Sequence, residues 1–191
     1  MKPRLTPQLI CLFGCLLAGM AGLAAAQNTN EPQNIGPRSD YEAEQARRNF
    51  KESEVRLPPY PKDAGLIEFK VSVLESFRFF IDPASLSVGD DRVVRYTLVA
   101  RSPSGVNNIS YEGIRCDPAT YKIYARGENG KWIPQDTDWR PIEAKTIQRW
   151  HNELRWQYFC PMGRGTILSA QEGLEALRRG KLPDLMTRPG Y

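Results

Sequence analysis

One histidine, His151, is all the imidazole in this chain. A metal centre built from several histidines is excluded. Cys116, Asp117, His151 and Cys160 also lack the close paired spacing of a zinc site. No G-x-S-x-G elbow, Walker loop, G-x-G-x-x-G turn or H-E-x-x-H helix occurs, so the common signatures of serine hydrolases, nucleotide-binding enzymes and zinc proteases are missing. The expectation is no enzyme, no catalytic residue, no cofactor and no metal. Charge of one sign is scarce as well. The formal net charge is +4, and it falls to +2 when Lys2 and Arg4 are set aside with the first 26 residues. That balance is too weak and too evenly spread for a nucleic-acid partner.

Long apolar runs are confined to the start of the chain. MKPRLTPQLICLFGCLLAGMAGLAAAQ opens with Lys2 and Arg4, continues through the apolar stretch Leu9 to Leu17 and ends on Ala24-Ala25-Ala26. This is the three-part pattern of a secretory signal, with cleavage expected between Ala26 and Gln27. The apolar part is short and broken by glycines, so no transmembrane span is expected in the mature chain. Leu12-Phe13-Gly14-Cys15 departs from a lipobox because Phe13 is bulky where a small residue is usual, so a lipid anchor at Cys15 is not expected. The implied location is the periplasm.

Removing residues 1–26 takes Cys11 and Cys15 with it and leaves Cys116 and Cys160. Two cysteines in an exported chain are most simply one disulfide. The loop they would close is about 45 residues long, worth roughly 4 kcal/mol in the chain-entropy picture. That bond would remove Cys116 as a nucleophile partner for His151.

Residues 27–63 read as a polar, proline-rich leader or linker. Within it Ser39-Asp40-Tyr41-Glu42 fits a capping box ahead of a frayed helix. Residues 64–180 read as the folded domain, and residues 181–191 as a loose tail. In the domain, IEFKVSV alternates apolar and polar residues as a half-buried strand does. RVVRYTLVAR places Val94, Tyr96, Leu98 and Ala100 on one face, with Arg95, Thr97 and Arg101 on the other. NISYEGIRC and TYKIYAR are further strands, the latter with Tyr121, Ile123 and Ala125 in phase. Gly127, Asn129 and Gly130 supply a turn that allows positive φ. Short strands separated by such turns predict an antiparallel meander.

In IEAKTIQRWHNELRW, Ile147, Trp150 and Leu154 fall on one helical face, expected to pack on the sheet with His151 at its polar rim. WQYFC reads as a last strand. Ser169-Ala170-Gln171-Glu172 is a capping box for a short C-terminal helix with Leu174 and Leu177 on its apolar face, closed by Gly180. The fold class is therefore α+β: an antiparallel β-sheet meander packed by one helix after the main strands, plus a short C-terminal helix and one disulfide.

Asp82, Asp90, Asp91 and Asp117 all lie near turns, where aspartate serves backbone hydrogen bonds. Asn108-Ile109-Ser110 matches a glycosylation acceptor by pattern. Trp132, Trp139, Trp150 and Trp156, with Tyr111, Tyr121 and Tyr124, form either a ligand groove or core.

RFFIDPASLSVGDDRVVRYTLVARSPSGVNNISYEGIRC, YKIYARG, the tryptophan after that turn, HNEL and FC together resemble the cryptic neisserial protein-like family. The resemblance covers roughly residues 66–160. It implies an exported periplasmic protein of Gram-negative bacteria, lipid-tethered in the form described for family members, and supplies no activity. This sequence departs from the tether because no cysteine stands near Gln27. The hairpin DPASLSVGDDRVVRYTLV and the Cys116 and Cys160 arrangement are also similar to the surface-adhesin protein E family. That likeness implies an antiparallel sheet with helices, a disulfide and binding of host matrix proteins.

The function expected from these readings is a non-enzymatic, envelope-associated binding or scaffolding protein, its partner an envelope protein or a ligand. An adhesin that binds host matrix proteins is the alternative, and a cell-envelope hydrolase the third class.

Overall fold

The computed structural model describes residues 41, 44–45, 48–71, 75–143, 149–162 and 165–182. The stretch read as a signal segment, its expected cleavage between Ala26 and Gln27, residues 39, 40 and 42 of the expected capping box, Ile147 and the tail beyond residue 182 lie outside the described residues. Among the described residues no helix is long and apolar enough to cross a membrane.

Among the described residues seven strands form one sheet: β1 (Ile67–Phe69), β2 (Arg78–Val88), β3 (Val94–Arg101), β4 (Asn107–Arg115), β5 (Thr120–Glu128), β6 (Lys131–Pro134) and β7 (Arg140–Pro141). The first six are neighbours in chain order and β7 pairs with β5. Every pairing is antiparallel. This is the expected meander. The β5–β6 hairpin turns on Asn129 and Gly130, with φ of 49° and 77°, the backbone that a two-residue primed turn needs. Gly127 has a different task. It lies within β5, where a side chain would run into the hydroxyl of Tyr60 and the side chain of Ile109.

One sheet face carries Phe79, Ile81, Tyr96, Leu98, Ile114 and Ile123 into the main core. They are covered by α1 (Arg149–Glu153), by a π-helical turn (Leu154–Phe159) that continues it, and by α2 (Ala170–Arg179). The π-helical turn replaces the strand expected for WQYFC. Cys160 donates its N–H to the carbonyl of Arg155, five residues back, at 2.9 Å. The wider turn lets Leu154, Tyr158 and Phe159 all bury, whereas a strand would send alternate residues outward. The apolar alternation in WQYFC was ambiguous because a short run fits both periods.

Helix α2 begins as its capping box requires. Glu172 donates its backbone N–H to Ser169 Oγ at 3.2 Å. The Glu172 carboxylate in turn accepts the N–H of Leu168 at 2.8 Å. Gly180 closes the helix in the left-handed region. Buried Leu177 and partly buried Leu174 join the core.

The opposite sheet face is also covered. A register shift in β4–β5 pairs Tyr111 with Ala125 and Glu112 with Ile123. It moves Ala125 out of phase with Tyr121 and Ile123, so that Ala125 joins Tyr111 and Tyr124 in a second apolar cluster with Val55 and Trp132. Val55 belongs to the stretch read as linker. That stretch lies on the sheet: Trp132 donates its indole N–H to the carbonyl of Pro58 at 2.8 Å, and Tyr60 packs on Trp132. Phe50 meets Trp139 edge-on and has the Arg115 guanidinium over its ring. The folded unit thus starts before residue 64. The reason the stretch read as a spacer is that its anchors are isolated residues and a backbone carbonyl, which leave no periodic pattern.

Charge reinforces this strap. Glu52 accepts from Lys122 Nζ at 3.0 Å and from the Tyr124 hydroxyl at 2.7 Å. Arg95, expected on a polar face, is buried and makes two hydrogen bonds to Asp91, at 3.0 and 2.5 Å. Asp91 also accepts the N–H of Ser53 at 2.8 Å. Burial pushes the Asp91 carboxyl up, but Arg95 and the N–H groups of Ser53 and Val93 outweigh it and hold the carboxyl below its ordinary value.

Cys116 at the end of β4 and Cys160 at the end of the π-helical turn form a disulfide, with Cα atoms 5.5 Å apart. The bond ties the helical layer to the centre of the sheet. Cys116→Ser should lower stability by about 2–5 kcal/mol, with the double mutant little worse. Non-reducing peptide mapping checks the pairing, and two free thiols in the native protein would overturn it. Asp91→Ala should cost about 3–5 kcal/mol in urea melts, because it leaves the buried Arg95 without its main partner.

Candidate functional site

The structure puts a carboxylate in the main core. Glu112 is on β4, in phase with Ile114, and faces Tyr96 across the β3–β4 pair. Its residue exposure is 2%, as is that of His151 on α1. Three groups converge on it. Ser110 donates to Oε1 at 2.6 Å and Tyr96 donates to Oε2 at 3.1 Å. His151 Nε2 lies 2.8 Å from Oε2. An ionised carboxylate only accepts, so the Nε2 proton points to Glu112 and Nδ1 is the remaining nitrogen of the ring.

Burial drives the Glu112 carboxyl upward. The charge and hydrogen bond of His151, with the Ser110 and Tyr96 hydroxyls, outweigh that and hold it below its ordinary value. Tyr96 is fully buried, and burial together with the nearby Glu112 charge raises its phenol well above the ordinary value. It therefore stays a donor. The imidazole plane is set by Tyr121, whose ring stacks on it with centroids 3.8 Å apart and planes 21° from parallel.

Beside this cluster lies a cavity of about 360 Å³. It sits between the sheet and α1. Its apolar walls include Phe77, Phe79, Leu98, Ile123 and Trp150, and its polar lining includes Asn108, Ser110, Glu112, Arg126 and His151. Trp150 is stacked on Phe79, with centroids 5.3 Å apart, so β2 and α1 share an aromatic wall. The volume falls in the range of small-molecule sites, and the mixture of aromatic walls with a few converging polar groups is what such sites use.

The residues singled out in the sequence separate. His151 is no rim group: it is buried and bound to Glu112. Cys116 and Cys160 are joined to each other, away from the imidazole's hydrogen bonds. The tryptophans divide three ways. Trp150 lines the cavity, Trp132 and Trp139 lie under the strap, and Trp156 is exposed with the Arg155 guanidinium over its ring. Asp82 lies within β2 and not in a turn: it accepts the N–H of Ala84 at the irregularity in the pairing of β2 with β3, while Asp91 holds Arg95. Asn108-Ile109-Ser110 lies within β4, with Ser110 buried on Glu112. Among the described residues no group of three or more metal-ligating side chains gathers.

Glu112 is the residue that sequence reasoning missed. The available signal was its phase: Glu112 shares a strand face with Ile114, and a strand pairing through Tyr96 would have placed it in the core. The pattern was hidden because both faces of β4 are buried, so Ile109 and Tyr111 on the other face set the apparent alternation.

The profile of the CNP1-like family matches residues 45–178. Cryptic neisserial protein 1 of Neisseria gonorrhoeae is 30% identical over 174 residues, which is 81% of this chain and 84% of that protein. No solved structure matches this chain.

His151→Ala should cost about 3–5 kcal/mol, because it strips a buried carboxylate of a partner. Trp150→Ala should cost a comparable amount through the cavity it leaves. A His151→Ala melt close to wild type would mean the pair is not formed. Acid should also destabilise the fold. Glu112 lies below its ordinary value in the folded state, so its contribution is full at neutral pH and is lost as pH falls through the folded value. Urea melts from pH 7 downward should show an acid limb that is shallower in Glu112→Gln.

Proposed function

This chain belongs to the CNP1-like family, and we propose that it is a non-enzymatic binding protein of the bacterial cell envelope that takes up a small molecule. The observation that carries the reading is the cavity of about 360 Å³ with its aromatic wall and buried Glu112–His151 pair. The export pattern of residues 1–26 and the Cys116–Cys160 bond support a periplasmic setting.

Binding rather than hydrolysis is supported by the hydroxyl nearest the pair. A serine nucleophile needs its proton held by a base such as histidine. Ser110 instead gives its hydrogen bond to Glu112 Oε1 at 2.6 Å, and Cys116 is held in the disulfide. The cluster stabilises a charge and shapes a pocket; it does not present an activated nucleophile.

The test is titration with an uncharged fluorescent aromatic, N-phenyl-1-naphthylamine. One saturable site per chain is expected, and Ala100→Phe, which fills the cavity from β3, should abolish it while the protein still melts cooperatively. Absence of saturable binding, or binding untouched by the filling variant, would overturn the reading. Intact mass of the exported protein tests the location: a mature chain starting at Gln27 in the periplasmic fraction is expected, and a diacylated species starting at Cys15 would place the protein on a membrane.

A further inference from the structure

Two polar residues of the cavity lining, Asn108 and Arg126, are exposed, whereas Ser110, Glu112 and His151 in the same lining are buried. The exposed pair marks where the cavity meets water. The sheet register puts both residues on the cavity face. Arg126 is the cross-strand partner of Ser110, and partners across a ladder share a face. Ser110 turns to the cavity face, because it donates to Glu112. Asn108 stands two residues before Ser110 on β4 and so shares that face. Arg78, Arg95 and Arg101 each pair with a carboxylate, from Glu68, Asp91 and Asp63. Among the described residues the side chains of Arg126 and Asn108 have no hydrogen bond or ion pair.

The nearby carboxylates leave Arg126 unbalanced. Glu112 is occupied by three donors on the α1 side of the cavity. Glu75 accepts the N–H of Phe77 at 3.3 Å and precedes β2. Strands β2 and β5 are separated by β3 and β4, a distance of roughly 14 Å. That exceeds the screening length of about 8 Å at physiological ionic strength. Glu128, two residues along β5, stands opposite Lys131. A free guanidinium is therefore left at the mouth of a cavity whose walls include the stacked rings of Phe79 and Trp150. Its planar fork matches the two oxygens of a carboxylate, and the Asn108 amide offers a further N–H donor beside it. One guanidinium balances one negative charge, whereas a phosphate monoester carries about −1.5 to −2.

Resting on the binding reading above, we infer that the ligand is an amphipathic carboxylate, its anionic head held at the cavity mouth by Arg126 and Asn108 and its apolar body laid against Phe79 and Trp150. The head keeps contact with water and stays clear of buried Glu112, while the body takes the apolar interior. Aromatic and medium-chain aliphatic carboxylates have this chemistry.

Three probes with one ring system separate the possibilities: 2-naphthoate, 2-naphthamide and 2-naphthylmethylamine, titrated into the full mature chain by calorimetry. 2-Naphthoate should bind about tenfold more tightly than 2-naphthamide, the increment of one charge-assisted contact at a water-facing site. Arg126→Gln should bring 2-naphthoate down to the level of 2-naphthamide while the protein melts as wild type does. Ala100→Phe should abolish 2-naphthoate binding. Equal or tighter binding of 2-naphthamide would overturn the inference, and tightest binding of 2-naphthylmethylamine would overturn it in favour of a cation site at Glu75. A 2-naphthoate preference that survives Arg126→Gln, or binding that survives Ala100→Phe, would place the anion elsewhere and overturn it as well. Failure of all three probes where N-phenyl-1-naphthylamine still saturates would overturn this inference alone. Failure of N-phenyl-1-naphthylamine too would overturn the binding reading itself.

Discussion

A carboxylate in the core constrains this fold more than any other group. An ionised side chain taken out of water is tolerated only when paired and hydrogen-bonded. Glu112 meets that condition with donors from three elements: Tyr96 on β3, Ser110 on its own strand and His151 on α1. A one-residue slip of β4 against β3 would turn Glu112 and Ser110 to the opposite sheet face. Displacing α1 would withdraw His151. Register and helix position are therefore coupled through one buried charge. The disulfide acts on the same layer, tying the far end of the π-helical turn back to the end of β4.

The sheet is buried on both sides for different reasons. On one face the helical layer supplies large apolar side chains, and the cavity lies between α1 and the sheet. On the other face a proline-rich strap supplies few apolar groups and holds on by polar contacts: Pro58 to Trp132, Glu52 to Lys122 and Tyr124, and Ser53 to Asp91. Polyproline-like segments lose little conformational freedom on docking, so a strap of this composition can be ordered by few contacts. The family match beginning at residue 45 takes in this strap as well as the sheet.

The two faces also carry different charge pairs. Arg95 and Asp91 form a bidentate pair beneath the strap, while Glu112 and His151 form a pair against the cavity. Both place a depressed carboxyl in a buried setting. The strap and the cavity wall consequently share a sensitivity to acid, although they lie on opposite sides of the sheet.

Most of β1 to β5, the turn at Asn129-Gly130, the capped α2 and the pairing of Cys116 with Cys160 were legible in the sequence; β6, β7 and the second half of β2, read as a turn, were not. Each legible feature rests on local chemistry: side-chain alternation, positive-φ turn residues, a capping box, and two cysteines left once the stretch read as an export signal is set aside. Three further features were not legible. WQYFC became a π-helical turn because a short apolar run fits either period until the disulfide and the core decide. The strap was hidden because its anchors are single residues and one backbone carbonyl. The cavity site was hidden because Glu112 lies in a strand buried on both faces, and its partners Tyr96 and His151 stand 16 and 39 residues away in the chain. The sequence by itself determined most of β1 to β5 and the capped α2, since those follow from neighbours a few residues apart. Only the tertiary structure decided which charge is buried and what surrounds it, because desolvation and hydrogen bonding depend on groups brought together from distant parts of the chain.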